Sequence, residues 1–104
     1  MPARARSHDM PDTTELDPRR RRLLFRARHR GTKEADLLIG GFVARAIATL
    51  SEQELDELEA VLEYPDADLA DWLSGRRPVP AACDSPMLRR IAAEAAARGA
   101  AEAP

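Results

Sequence analysis

Arg30-Gly31-Thr32-Lys33-Glu34-Ala35-Asp36 stands where one helical pattern ends and the next begins. Read as a corner, it makes the chain a set of packed helices. Upstream, Leu23, Leu24 and Ala27 share one helical face and should stop at Gly31. Downstream, Leu38, Phe42, Ala46 and Thr49 form a second stripe, flanked by Leu37 and Ile47. Arg30 suits the negative C-terminal end of the first helix, Gly31 a left-handed cap, and Glu34 the positive start of the second. The same residues also offer a bend, a cation and an anion within a few positions, which makes a compact recognition corner and a poor catalytic site.

The flanking segments extend the helical reading. Asp17 is placed as an N-cap, with Pro18 at the first helical position. The second helix should begin at Thr32 or Lys33 and run to about Leu50. Its Gly40-Gly41 pair costs about 1 kcal/mol per glycine relative to Ala, and close packing by another helix is the better explanation for it. Ser51-x-x-Glu54 is a capping box that opens an amphipathic third helix through Leu55, Leu58, Val61 and Leu62, with acids on its outer face, and Pro65 ends it. Asp66 or Asp68 is read as the cap of a short fourth helix containing Leu69, Trp72 and Leu73, closed by Gly75. Trp72 is expected to plug the core. Gly75 to Asp84, with Pro78 and Pro80, reads as an extended linker, after which Ser85-Pro86 starts a fifth stripe of Met87, Leu88, Ile91, Ala92 and Ala95 that ends at Arg98-Gly99. The predicted fold is all-α: a small five-helix bundle over 17–98, a disordered N-terminal tail over 1–16 and a C-terminal tail over 99–104.

Composition narrows the function. At 104 residues the chain is one domain, too small to build a deep active-site cleft easily, so a binding module is favoured over an enzyme. No Gly-rich phosphate loop or nucleophile-base pair is present. A net charge of -2 argues against nucleic acid or an anionic membrane as the main partner. The charges are nonetheless segregated: Arg19, Arg20, Arg21, Arg22, Arg26, Arg28 and Arg30 crowd one segment, while Glu52 to Asp71 is acidic without Lys or Arg. A solvated helix face is the simplest reading of the arginine run, and a helical nucleic-acid-binding module using Arg19–Arg22 is the alternative. Cys83 stands alone, and His8 and His29 are too few and too far apart, so neither a disulfide nor a metal site is expected. No apolar run approaches the ~20 residues that span a bilayer, and no secretory signal is read at the N-terminus. A bacterial cytoplasmic location without membrane insertion is expected.

Three segments line up in order: Arg30 to Asp36, then Leu50-Ser51 with its acidic helix, then Tyr64-Pro65-Asp66-Ala67-Asp68-Leu69-Ala70-Asp71-Trp72-Leu73. Together they resemble the small FAD assembly factors of succinate dehydrogenase, the SdhE-type family, over roughly Arg20 to Leu73. The R-G-x-x-E pattern is unspecific by itself; the P-D-x-D-L-x-x-W-L-like stretch at the right distance makes the match specific. The resemblance implies a five-helix bundle that promotes covalent attachment of FAD to the flavoprotein subunit of succinate dehydrogenase and, in some bacteria, of fumarate reductase. It implies that the docking motif is Arg30, Gly31 and Glu34, in a partner-binding set with His29 and Asp36. FAD is then the group attached to the partner, and no tightly bound cofactor is expected in the chain itself. His29 departs from the family, where a second basic residue often precedes the motif, and so does Gly41, where a larger side chain is more usual.

Overall fold

The computed structural model describes residues 16–102, with side chains over 16–98. The expected N-terminal tail therefore lies outside the described residues, except for Leu16, which belongs to the core at 6% exposure. Every regular element among the described residues is helical: α1 (Pro18–Arg28), α2 (Lys33–Ala46), α3 (Glu52–Leu62), α4 (Asp66–Ser74) and α5 (Pro86–Glu102).

Local chemistry starts and stops most of them as the residues predict. The Asp17 carboxylate accepts the Arg20 N–H at 2.8 Å, with Pro18 at the first position of α1. Thr32 caps α2 by accepting from the Ala35 N–H at 3.2 Å, and Glu34 and Asp36 lie in its first turn. Both halves of the capping box of α3 are formed: Glu54 N–H to Ser51 Oγ at 3.1 Å, and Ser51 N–H to Glu54 Oε1 at 2.8 Å. Gly75, at φ 80°, closes α4. The segment between α4 and α5 is not fully extended, since Ala81–Cys83 form a 3₁₀ turn. The Ser85 hydroxyl accepts the Leu88 N–H at 3.1 Å at the start of α5. That helix runs on through Gly99 to Glu102, past its expected end, because the Ala-rich sequence around one glycine outweighs a cost of about 1 kcal/mol.

The face of α2 differs from the predicted stripe. Its buried residues are Ala35, Ile39, Gly40, Phe42 and Val43, continued by Ile47 in a 3₁₀ turn (Ile47–Thr49), so the regular helix stops at Ala46 rather than near Leu50. Leu37 is 63% exposed and Thr49 is exposed; of the predicted stripe only Phe42 is buried. Packing against α1 sets the rotation. A Cβ on Gly40 would lie 3.0 Å from Arg28 Cγ, 3.1 Å from the Ala27 oxygen and 3.2 Å from Arg28 Cα, so α1 crosses α2 at this glycine. Turning Gly40 toward α1 carries the β-branched Ile39 and Val43 inward and Leu37 outward.

The two glycines are not equivalent. Gly41 has only the flexible Arg45 guanidinium near its Cβ position, at 3.4 Å. Gly40→Ala is expected to destabilise by about 1–2 kcal/mol, because overpacking against fixed backbone exceeds the gain in helix propensity. Gly41→Ala should stabilise by about 0.5–1 kcal/mol. Thermal melts of the two variants should move in opposite directions; a stabilised Gly40→Ala would show that α1 can yield.

One core cluster unites the elements. Helix α1 packs on α2 and α3, and α5 lies against α2, α3 and α4. Leu55, Leu58, Leu69, Met87, Leu88 and Ile91 are all at or below 1% exposure, and Trp72 is buried at 7%.

Candidate functional site

Arg30 is anchored inside the protein. Its side chain is only 9% exposed, and Nε donates to Asp66 Oδ1 at 2.5 Å while Nη1 and Nη2 donate to the carbonyl oxygens of Leu62 at 3.0 Å and Tyr64 at 2.7 Å. Those carbonyls close α3, which has no basic residue in its last turn and is followed by Pro65. The guanidinium fork thus satisfies the end of α3 and ties the α1–α2 corner to the α3–α4 corner. Neither Asp66 nor Asp68, the two expected caps, makes a cap bond; Pro65 occupies the cap position, Asp66 spends its carboxylate on Arg30, and Asp68 accepts from Arg77. Asp36 is also turned inward, accepting the Arg30 backbone N–H at 2.7 Å.

The remaining residues of the predicted set face out. Gly31 is exposed at φ 107°, a conformation that favours glycine, and nothing lies within 4 Å of where its Cβ would be. Glu34 and Lys33 are exposed on the first turn of α2 and take no hydrogen bond or ion pair among the described residues. Leu37 follows Glu34 by three positions and so shares its face. His29 is exposed and stacked on Phe25, with ring centroids 3.9 Å apart and planes 19° apart, and its Nδ1 lies 2.7 Å from the Phe25 carbonyl oxygen. The predicted set therefore divides: Arg30 and Asp36 fix the corner, while His29, Gly31 and Glu34 are presented by it. Phe25, the exposure of Leu37 and the anchoring role of Asp66 are not foreseen in the sequence. The want of a basic residue at the end of α3 was the one signal that could have drawn Arg30 there.

The arginine run is not a bare solvated face. Arg19 reaches Glu52 at 3.1 Å, Asp56 at 2.6 Å and Glu59 at 3.0 Å on α3. Its hydrogen bonds to Asp56 and Glu59 raise the guanidinium pKa further above its ordinary value. Arg20 bonds Asp17 and the carbonyl oxygens of Ile47 and Leu50, Arg21 bonds the Leu16 carbonyl, and Arg26 pairs with Glu63 at 2.7 Å. The acidic outer face of α3 is the counter-charge for α1. Exposed pairs such as these contribute at most about 1 kcal/mol each, but they occupy the cations that a phosphate backbone would need. Arg22 has no such partner among the described residues.

Among the described residues no group of His, Cys, Asp and Glu is arranged to hold a metal ion, and no helix is long and apolar enough to cross a membrane. The corner presents an open glycine turn beside a carboxylate and an ammonium that have no partner among the described residues.

The chain is similar in sequence to known proteins. A family model described as "Flavinator of succinate dehydrogenase" (Sdh5) matches residues 21–95. The FAD assembly factor SdhE of Acetobacter pasteurianus is 55% identical over 76 residues, which cover 73% of this chain and 70% of that protein. Mitochondrial succinate dehydrogenase assembly factor 2 is 42% identical over 60 residues in Mycosarcoma maydis, covering 58% of this chain and 25% of that one. The protein of the same name in Dictyostelium discoideum is 30% identical over 80 residues, covering 77% and 57%. The chain thus matches less than two thirds of the length of these two mitochondrial proteins.

Proposed function

The chain belongs to the flavinator of succinate dehydrogenase family, and on that premise we propose that it is an FAD assembly factor that docks on the flavoprotein subunit through the α1–α2 corner and promotes covalent attachment of the flavin. The observation that carries the residue assignment is the division of the corner. Arg30 and Asp36 are consumed internally, so the corner is rigid, while Gly31 and Glu34 are left open to an outside surface. A preorganised surface loses little entropy on docking.

Such a helper needs no chemistry of its own. Flavin attachment requires a His of the partner to be held near the flavin 8α-methyl group. A factor that binds the flavoprotein best in that arrangement raises its population, by no more than its differential affinity. Gly31 lets a partner backbone approach, and Glu34 supplies a charge-assisted hydrogen bond that fixes orientation. FAD belongs to the partner in this reading. The same corner would serve the flavoprotein of fumarate reductase where a cell has one, and the bacterial cytoplasm is where we place its action.

The test is to mix the chain with separately produced apo-flavoprotein and FAD, denature in acid, and follow flavin fluorescence that stays with the flavoprotein band. Glu34→Ala should cut this signal and weaken binding by about 2–5 kcal/mol, the cost of truncating one partner of a buried charged contact. Its thermal stability should move by no more than about 0.5 kcal/mol, as for other exposed positions. Wild-type binding and flavinylation in this variant would reduce the corner to a helix joint.

A further inference from the structure

Phe25 is 61% exposed, one of two large apolar side chains left outside the core among the described residues. It is nevertheless held in place. His29 stacks on its ring at 3.9 Å, and the His29 Nδ1 contact to the Phe25 carbonyl, at 2.7 Å, fixes that imidazole in turn. Two exposed side chains ordered against each other contribute little to the core, so the stack's use lies at the surface.

Two shallow surface grooves include the ring in their lining. One is lined by Pro18, Arg21, Arg22, Phe25 and Arg26. The other runs from Phe25 and His29 past Arg30 to Tyr64 and Asp66, so the stack is continuous with the anchored corner. The rim of the first groove is basic. Arg22 is unpaired among the described residues, Arg21 spends one donor on the Leu16 carbonyl and acts on Asp17 through its charge, and Arg26 pairs with Glu63. An ordered aromatic platform beside guanidinium groups matches the usual composition of an interface hot spot.

We infer that the Phe25–His29 stack, rimmed by Arg21 and Arg22, is a second anchor for the flavoprotein subunit, seating an apolar segment of that partner that carries carboxylates. This rests on the docking reading above and extends it from the corner onto α1. The aromatic pair supplies the desolvated contact, and the arginines steer acids toward it and fix the register.

The experiment measures binding of the full chain to the apo-flavoprotein at low and high salt, with Phe25→Ala, Arg22→Glu and Glu34→Ala in parallel. Phe25→Ala should weaken binding at least about tenfold, the loss expected of an aromatic anchor. Arg22→Glu, which breaks no bond among the described residues, should slow association and flatten the salt dependence. If both bind within twofold of wild type while Glu34→Ala is impaired, the corner alone docks and the second anchor is wrong. If Glu34→Ala also binds normally, or the wild type does not bind, the functional reading fails with it. A fluorescent single-stranded RNA is titrated alongside; saturable binding that Phe25→Ala and Arg22→Glu abolish, with flavoprotein binding intact, would assign the patch to nucleic acid and overturn the inference. Thermal melts of both variants should match wild type, and Arg22→Glu decides the matter should Phe25→Ala melt lower.

Discussion

Arg30→Ala is expected to lower the unfolding free energy by about 3 kcal/mol, the low end of the range for breaking a buried ion pair. The low end applies because Asp66 is 29% exposed and can be partly rehydrated. The carbonyls of Leu62 and Tyr64 lose their donors as well, and each costs about 1 kcal/mol or more if water does not reach it. Arg30→Lys should recover only part of the loss, since one ammonium cannot meet three acceptors that the planar fork meets together. The distinguishing measurement combines denaturant unfolding with flavoprotein binding under conditions where the lysine variant is folded. An anchoring Arg30 predicts reduced stability with binding kept within a few fold. Unchanged stability with abolished binding would put the guanidinium in the interface, where the family resemblance alone places it.

That contrast shows how much of the site was legible. Gly31 could be read because only a corner explains a glycine between two helical stripes, and its φ of 107° follows. Glu34 could be read because a free acid on a first helical turn suits the dipole with or without a partner. The direction of Arg30 could not be read: which of several helix ends an arginine reaches depends on how the helices cross, and nothing local encodes the proximity of Leu62, Tyr64 and Asp66. The same limit governs the phase of α2. Leu38-Phe42-Ala46 and Ala35-Ile39-Val43 are both good helical stripes in this apolar segment, and the close crossing of α1 at Gly40 selects the second. Caps, which are contacts over three residues, were legible at Asp17, Ser51 and Gly75. The pairing of Arg19 with Glu52, Asp56 and Glu59 spans two helices, and its charge segregation was visible while its geometry was not.

Trp72→Ala should cost about 3–5 kcal/mol, as large aromatic truncations in packed cores do. The ring is 7% exposed and meets Tyr64 edge-on, with centroids 5.3 Å apart and planes at 82°. Its loss would therefore loosen Tyr64, whose carbonyl holds Arg30 and whose hydroxyl has its pKa raised above the ordinary value by the neighbouring Cys83 thiol and by desolvation. Against this, the Trp72 Nε1 is buried without a hydrogen-bond partner among the described residues, an arrangement that costs about 1–3 kcal/mol when no water reaches the donor. Trp72→Phe removes that orphan donor while keeping most of the apolar ring, so its net effect should be within about 1 kcal/mol of zero. Reading the two variants together separates volume from polarity. A large loss in Trp72→Phe would mean that the indole N–H is satisfied in solution, by an ordered water or a partner group. A small loss in Trp72→Ala would place the ring at the surface, and the tie from α4 through Tyr64 to the α1–α2 corner would fall with it. For a domain of this size a cost of about 3–5 kcal/mol is a large share of total stability. Flavinylation by Trp72→Ala should accordingly fail through unfolding and recover on cooling toward its temperature of maximum stability, whereas Glu34→Ala should stay impaired at every temperature.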